Sequence, residues 1–470
     1  MHGVLPETLS VAAMLALAIA SVRTDRAWWL WRVLPVVVVS FVGVVIVNWL
    51  LDFRGQFDEV IPLEFLIWVT MPCVAIGLAV FGWRANPRWQ RVVAITAVPL
   101  TALYAGNLIN QFYGYFPTVG ALVGSDVDHQ VSADQLGLET VGQVSGGAQQ
   151  GQNPLTTLPG GAPATNSVAT ATPTPSSAGQ GGASGPTPGA PVESATSLSP
   201  AAAGAAVHGA ISQVSIPGTQ SHFDARTAYV WVPPAFFTTP RPRLPVVVVL
   251  AGVPGQPDNM IRAASADKTA DRYAAAHHGV APILIFADAN GSFTGDTECV
   301  DGPAGNAETY LTKDVPSFVT QAFGTATGPS HWAIEGYSEG GTCALTIALG
   351  HPDVYGSFVD IAGDQFPNLG TLGDAKAKAI AGLYGGDAAL FDAHDPLQLI
   401  LKPAAKPVAG WFEVGVKDHR KGDVASTLDA AMKAAGLQSQ LVQAPGGHDF
   451  PMATRAVADS FAWLAGRLGV

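Results

Sequence analysis

Long apolar runs separated by short polar loops occupy the N-terminal part of the chain, residues 1–111. Each run is about 20 residues long, and a helix of that length crosses about 30 Å of hydrocarbon. The pattern predicts four transmembrane helices. A cleavable signal peptide is the alternative for the first run, but its leading residues lack Lys and Arg. The predicted spans are residues 5–22, 33–51, 61–81 and 92–109.

Basic residues are unevenly distributed over the loops between these runs. The first and third loops each carry three Arg residues, whereas the second carries Arg54 beside three acidic residues. The positive-inside rule therefore places the first and third loops in the cytoplasm. No Lys or Arg occurs between Arg91 and Arg226, as is typical of a translocated segment. We predict a multi-pass protein of the cell membrane whose C-terminal part is extracytoplasmic.

A segment of small and polar residues follows the membrane unit. Nearly every position in 145–205 is Gly, Ala, Ser, Thr, Pro, Gln or Asn, and Glu193 carries the only charge. Such a composition cannot bury enough apolar surface to offset chain entropy, which predicts a disordered linker. Residues 112–144 are assigned only as an outer juxtamembrane segment.

From residue 206 onward, apolar runs bounded by turn residues alternate with amphipathic stretches. The unbroken run 246–250 is typical of a strand buried on both faces. Alternation of strands and helices predicts an α/β domain over residues 206–470 with a mostly parallel sheet. The predicted strands are 228–232, 245–250, 283–287, 332–336, 358–362, 411–416 and 441–444, and the predicted helices are 260–277, 308–323, 342–350, 423–435 and 451–468.

Charge and motif content narrow the classes of function. Charged residues make up 13% of the chain, against about 25% in an average soluble domain. The net charge of −12 argues against a nucleic-acid partner, which would require a basic surface. The sequence contains no P-loop, no H-E-x-x-H and no paired-cysteine zinc pattern. We therefore expect no metal and no organic cofactor; the oligomeric state stays open.

The sequence G-Y-S-E-G at residues 336–340 lies between a predicted strand and a predicted helix. This context is typical of a nucleophile elbow, in which a sharp turn exposes a serine hydroxyl above the sheet. Ser338 is therefore the candidate nucleophile. A base and an acid must follow it along the chain. His448, in the loop after the last predicted strand, is the candidate base.

The acid has three candidates. Asp418 follows the strand 411–416 and precedes His448 along the chain, so it is the first choice. Asp364, after the strand 358–362, and Glu413, within the strand 411–416, are the alternatives.

An oxyanion hole requires two N–H donors directed at the developing negative charge. The backbone of Glu339 is the first candidate. The loop after the strand 245–250 supplies the second, from Val253 or from Gly252. The Glu339 side chain is expected to be either solvated or in contact with substrate. Cys299 and Cys343 are the two cysteines outside the membrane unit, and an extracytoplasmic location favours a disulfide between them.

Four segments of the C-terminal half resemble the esterase-D/antigen-85 family of α/β-hydrolases, which includes S-formylglutathione hydrolases, feruloyl esterases and mycolyltransferases. They are residues 249–252 (V-L-A-G), 308–311 (E-T-Y-L), 336–341 (G-Y-S-E-G-G) and 445–448 (P-G-G-H). Together with the spans, the linker and the segments 296–299 and 341–343, they resemble actinobacterial membrane-anchored esterases. One departure is Ala251, where the family often has His or Asp before the glycine.

This resemblance implies hydrolysis or transfer of carboxylic esters through an acyl-serine. It implies Ser338 as nucleophile, His448 as base and Asp418 as acid. We therefore interpret the chain as a membrane-anchored, extracytoplasmic serine esterase or acyltransferase acting on an ester of the cell envelope, carried by a lipid or a glycan. The alternatives are a catalytically silent hydrolase fold that binds envelope glycans or proteins, and a transporter or sensor with an accessory hydrolase domain.

Overall fold

A computed structural model describes residues 4–23, 25–53, 61–122, 127–136, 208–369, 375–402 and 407–470. The predicted linker at 145–205 and the second-loop residue Arg54 lie outside these described residues. The described chain contains a group of N-terminal helices and an α/β domain.

Three N-terminal helices are long and apolar enough to cross a membrane: Arg26–Leu51, Leu63–Gly82 and Arg88–Tyr113. They correspond to the second, third and fourth predicted spans. The first predicted span forms the helix Val4–Ser21, but its apolar part, Pro6–Ser21, is shorter than the other three. A fourth span thus stays a prediction. The first of these three begins as the helix Arg26–Trp28, passes through a π-helical turn at Trp29–Val33 and continues into the α-helix Leu34–Phe53.

These helices expose most of their apolar side chains. In their most apolar windows, 11%, 33% and 28% of the residues are buried, in chain order. The buried remainder packs in small clusters, one of which contains Trp28, Val74 and Leu78. An exposed apolar surface of this extent is typical of helices that contact lipid or another apolar partner.

The first and third loops meet at one end of the helix group. The Arg23 Nη2 atom donates to Asn86 Oδ1 at 2.8 Å, and Arg91 Nε donates to the Asn86 carbonyl oxygen at 2.9 Å. The helix Arg88–Tyr113 therefore starts at this end and finishes at the opposite end, where Gly114 caps it with a φ of 71°.

Within the described residues, eight strands form the main sheet of the α/β domain, in the order β1-β2-β4-β3-β5-β6-β7-β8. The pairs β1–β2 and β2–β4 are antiparallel, and the other neighbouring pairs are parallel. The mostly parallel α/β fold predicted from the sequence is confirmed. The strands are β1 Ala210–Val214, β2 Ala228–Val232, β3 Val246–Leu250, β4 Ile283–Phe286, β5 Trp332–Tyr337, β6 Ser357–Ile361, β7 Ala409–Gly415 and β8 Ser439–Ala444.

Each of the seven predicted strands is present, with small shifts at the ends. Strand β1 was not predicted. The predicted helix 260–277 is two helices, because Ser265 adopts a left-handed φ of 55° between them. The domain helices are Asn259–Arg262, Ala266–Ala276, Ala307–Thr309 continuing through Tyr310–Asp314 into Val315–Phe323, Glu339–Gly350, Ala375–Leu383, Ala388–His394, Pro396–Leu401, His419–Ala434 and Phe450–Leu468.

Residues before the linker pack against the same core as residues after it. Leu136 is 1% exposed and belongs to the main cluster of the α/β domain. Val131 N donates to the Ile211 carbonyl oxygen at 2.7 Å, and Ile211 N donates to the His129 carbonyl oxygen at 3.1 Å. The segment 127–136 thus extends the edge of the sheet beside β1.

Candidate active site

Ser338 occupies a strained turn between β5 and the helix Glu339–Gly350. Its φ of 61° and ψ of −123° are unusual for a residue with a side chain, and such strain costs on the order of 1–3 kcal/mol. The neighbouring glycines permit the turn. A Cβ at Gly336 would collide with the Gly340 carbonyl oxygen, and a Cβ at Gly340 would lie 2.6 Å from the Ala251 carbonyl oxygen. The elbow therefore requires glycine at both positions.

A continuous hydrogen-bonded chain connects three loops at the carboxyl ends of the parallel strands. His448 Nε2 lies 2.9 Å from Ser338 Oγ, and His448 Nδ1 lies 2.9 Å from Asp418 Oδ2. An ionised carboxylate only accepts hydrogen bonds, so Nδ1 donates to Asp418 and Nε2 accepts from the Ser338 hydroxyl. This arrangement can transfer the hydroxyl proton to His448 as Ser338 attacks.

Asp418 is held in place by the helix that follows it. It is the N-cap residue of His419–Ala434, and its Oδ1 accepts from Lys421 N at 3.3 Å. Burial raises the pKa of Asp418, but the hydrogen bonds and charge interactions with His448 and then Lys421 together outweigh burial, so the net pKa lies below the ordinary value. The carboxylate is therefore ionised at neutral pH.

The two alternative acids have other partners. Asp364 pairs with Lys421 Nζ at 2.7 Å and with Arg420 Nη1 at 2.9 Å. Glu413 is fully buried, and its Oε2 accepts from Trp411 Nε1 at 2.9 Å. Of the three candidate acids, the structure places Asp418 against His448.

Two of the three candidate oxyanion donors, Glu339 and Gly252, lie beside Ser338. Glu339 is the first residue of its helix, so its N–H has no intrahelical acceptor. The loop after β3 passes directly over the elbow, since a Cβ at Gly252 would lie 2.9 Å from Ser338 Cβ. Val253 follows in the same loop. These positions would allow the backbone N–H groups of the elbow and of this loop to donate to the oxygen of a carbonyl group that Ser338 attacks.

The Glu339 side chain is buried, so the expectation of a solvated carboxylate was wrong; contact with substrate stays a prediction. The residue is 6% exposed, and its Oε2 accepts from Asn290 Nδ2 at 3.2 Å. Burial, followed by the charge of Asp296, raises its pKa well above the ordinary value. The sequence could not reveal these contacts, because Asn290 and Asp296 belong to a loop that lies far from Glu339 along the chain.

The predicted disulfide between Cys299 and Cys343 is present, with 5.4 Å between the Cα atoms. The disulfide joins the loop after β4 to the helix Glu339–Gly350, which begins directly after Ser338 in the chain. Glu339 Oε1 lies 3.1 Å from Cys343 Sγ. Among the described residues, Cys299, Glu339 and Cys343 form a close group of side chains of the types that bind metals. The disulfide bond occupies both sulfur atoms, so these residues do not suit a metal ion.

Sequence reasoning missed two aromatic neighbours of the site. The Tyr337 ring stacks on His448 with centroids 5.0 Å apart, and Phe450 packs against Tyr337 at 5.2 Å. Tyr115, from the segment before the linker, lies 5.3 Å from Phe450. For Tyr115, the aromatic sequence F-Y-G-Y-F at residues 112–116 was the signal that could have indicated packing against the domain.

Comparison with known proteins matches residues 220–453 to the family described as putative esterase. An uncharacterized protein of Corynebacterium glutamicum is 39% identical over 272 residues, covering 56% of this chain and 63% of that protein. The chain thus spans less than two thirds of this relative. A solved ferulic acid esterase has 16% identity and a TM-score of 0.47, covering 56% of this chain and 98% of that one. An S-formylglutathione hydrolase from Agrobacterium tumefaciens has 21% identity and a TM-score of 0.47, covering 56% and 97%.

Substituting Asp418 tests its contact with His448. We expect Asp418→Asn to lower the turnover of a p-nitrophenyl ester on the order of 10³–10⁴-fold, because an amide no longer selects the tautomer that donates from Nδ1. The matched control is Asp364→Asn, which weakens the pair with the buried Lys421. It should lower the free energy of unfolding by roughly 3 kcal/mol without a comparable fall in turnover. If the control lost turnover and Asp418→Asn did not, the acid would be Asp364.

Glu339→Gln tests the neutral state of the buried acid. The folded-state pKa lies above the unfolded value of about 4.3, so the stability that the neutral acid contributes is present below that value and is lost as pH rises. An amide does not titrate. The urea midpoint of Glu339→Gln, relative to the original protein, should therefore rise between about pH 5 and about pH 8.

The control for this comparison is Asp392→Asn, since the Asp392 side chain is 55% exposed. Its midpoint difference from the original protein should stay constant over the same pH range. A constant difference for Glu339→Gln as well would show that Glu339 is not a buried neutral acid.

Proposed function

We propose that the chain is a serine esterase or acyltransferase acting on carboxylic esters, and the match of residues 220–453 to the putative esterase family supports this proposal. The observation that carries the proposal is the pair of 2.9 Å contacts that His448 makes with Ser338 and Asp418. A nucleophile, a base and an orienting acid in this geometry are suited to acyl transfer.

In the proposed reaction, Ser338 Oγ attacks the ester carbonyl carbon while His448 Nε2 takes the hydroxyl proton. The tetrahedral intermediate collapses, His448 returns the proton to the leaving alcohol, and the acyl group stays on Ser338. Water or a second hydroxyl then attacks the acyl-serine by the same steps in reverse. Asp418 keeps the imidazole oriented and stabilises its charged form. Water as acceptor makes the protein an esterase, and a sugar or other hydroxyl makes it an acyltransferase.

The oxyanion of the intermediate is proposed to accept hydrogen bonds from the backbone N–H of Glu339 and of Val253, with Gly252 as the alternative to Val253. The helix Glu339–Gly350 adds the positive end of its dipole at the same point. Loss of one such donor typically costs about 10²–10³-fold in rate.

We further propose that the N-terminal helices anchor the protein in the cell membrane, with the domain outside the cell. The three long apolar helices and their exposed side chains support the anchor. The Arg residues of the first and third loops support the orientation, since these loops lie together at the end opposite Tyr113. The disulfide fits an oxidising compartment. The substrate class that follows is an ester of the cell envelope, carried by a lipid or a glycan.

Labelling with a fluorophosphonate probe tests the proposed nucleophile. The full-length protein in detergent should react covalently, and Ser338→Ala should abolish the reaction, because the probe captures an activated serine. The matched control is Ser426→Ala, whose hydroxyl donates to the Gly422 carbonyl oxygen within the helix His419–Ala434. It should label as the original protein does.

Absence of labelling in the original protein, or equal labelling of Ser338→Ala, would contradict the mechanism. The first result would favour the alternative of a silent hydrolase fold that binds envelope glycans or proteins.

A further inference from the structure

The residue that follows the cap of the last apolar helix reaches the candidate active site. Tyr115 comes directly after Gly114, the cap of Arg88–Tyr113. Its hydroxyl oxygen is 2.8 Å from Asn259 Oδ1 and 3.1 Å from the Pro254 carbonyl oxygen. Both acceptors belong to the segment that follows β3. This segment also contains Val253 and Gly252, the two candidates for the second oxyanion donor.

Other hydrogen bonds hold the far side of this loop. Gln256 N donates to Asn259 Oδ1 at 2.6 Å, and Gly255 N donates to the Phe293 carbonyl oxygen at 2.9 Å. Arg226 Nη1 donates to the Gly255 carbonyl oxygen at 2.8 Å. These contacts fix residues 255 and 256. The Tyr115 hydroxyl instead bonds to the carbonyl oxygen of Pro254, the residue next to Val253. Asn259 Oδ1 accepts from both the Tyr115 hydroxyl and Gln256 N.

The same segment also packs against the side of the site that carries the base. A Cβ at Gly114 would lie 2.7 Å from Pro451 Cδ, so the backbone here is in direct contact with the start of the last helix. The Tyr115 ring meets Phe450 edge-on at 5.3 Å. Phe450 packs on Tyr337, and Tyr337 stacks on His448. Residues 114 and 115 therefore contact both the loop after β3 and the start of the last helix, which are on two sides of the candidate site.

The surroundings of Tyr115 keep its hydroxyl protonated. Burial, followed by the charge of Asp258, raises the pKa of Tyr115 above its ordinary value. A neutral phenol has one hydrogen to donate, and both neighbouring oxygens are acceptors. Removing the hydroxyl would leave the Pro254 carbonyl oxygen and Asn259 Oδ1 without this donor, and the loop would be less restrained.

We infer that Tyr115 is a positioning residue of the catalytic site, through which the last apolar helix holds the oxyanion loop in its active geometry. The inference rests on the proposed acyl-transfer function. Stabilisation of the oxyanion falls steeply as the distance between the N–H donor and the oxygen grows, because the donors must already be aligned with the position of the developing charge. A loop displaced by a fraction of an ångström therefore loses rate while retaining the fold.

The test compares Tyr115→Phe with the original full-length protein in detergent, using a soluble p-nitrophenyl ester. We expect kcat to fall roughly threefold to tenfold with KM unchanged, because the loop acts on the transition state rather than on ground-state binding. The matched control is Tyr273→Phe, which also removes a hydroxyl that donates to a main-chain carbonyl, that of Val470 at 2.9 Å. It should leave kcat unchanged.

A second variant separates positioning from a general loss of stability. Asn259→Ala removes the other partner of the hydroxyl, so the double variant should lose less than the product of the two single losses. Losses that multiply, or a Tyr115→Phe variant with the original kcat, would overturn the inference while leaving the proposed function intact. An original protein that neither labels nor turns over ester would overturn both.

Discussion

Strand β5 passes into the helix Glu339–Gly350 within a single residue, and that residue, Ser338, has a φ of 61°. The turn exists because Gly336 and Gly340 allow strand and helix to approach more closely than any Cβ would permit. Backbone hydrogen bonds made by both the N–H and the carbonyl oxygen of Ser338 stabilise this strained conformation. One of them joins Ser338 N to the Ile361 carbonyl oxygen at 2.8 Å. The direction of the hydroxyl and the contact with His448 depend on this turn.

The parts of the site carried by local motifs were predictable. The elbow is recognisable in one short motif. Asp418 follows the buried strand β7 and His448 follows the edge strand β8, at positions where parallel strands end together. Contacts between distant segments were not predictable in the same way. Strand β1 has the short sequence A-I-S-Q-V at the sheet edge, and residues 127–136 pair with it from the other side of the linker. The buried Glu339 side chain likewise bonds to Asn290, which belongs to a loop much earlier in the chain.

The apolar helices and the α/β domain are linked by contact as well as by the chain. Hydropathy alone separates the two regions, and it assigns the residues between them only to a juxtamembrane segment. In the structure, Tyr115 touches the loop after β3 and the start of the last helix, and Leu136 enters the core. If these helices anchor the protein in a membrane, as proposed, the residues that follow the last of them also supply side chains to the neighbourhood of Ser338.

Acyl transfer through Ser338 is measured most directly by mass spectrometry of the protein mixed with p-nitrophenyl acetate, quenched in acid and digested. We expect a mass increase of one acetyl group on the peptide that contains Ser338, because Ser338 is the proposed nucleophile. Release of p-nitrophenol with no acyl group on that peptide, or with the acetyl group on a different residue, would contradict it.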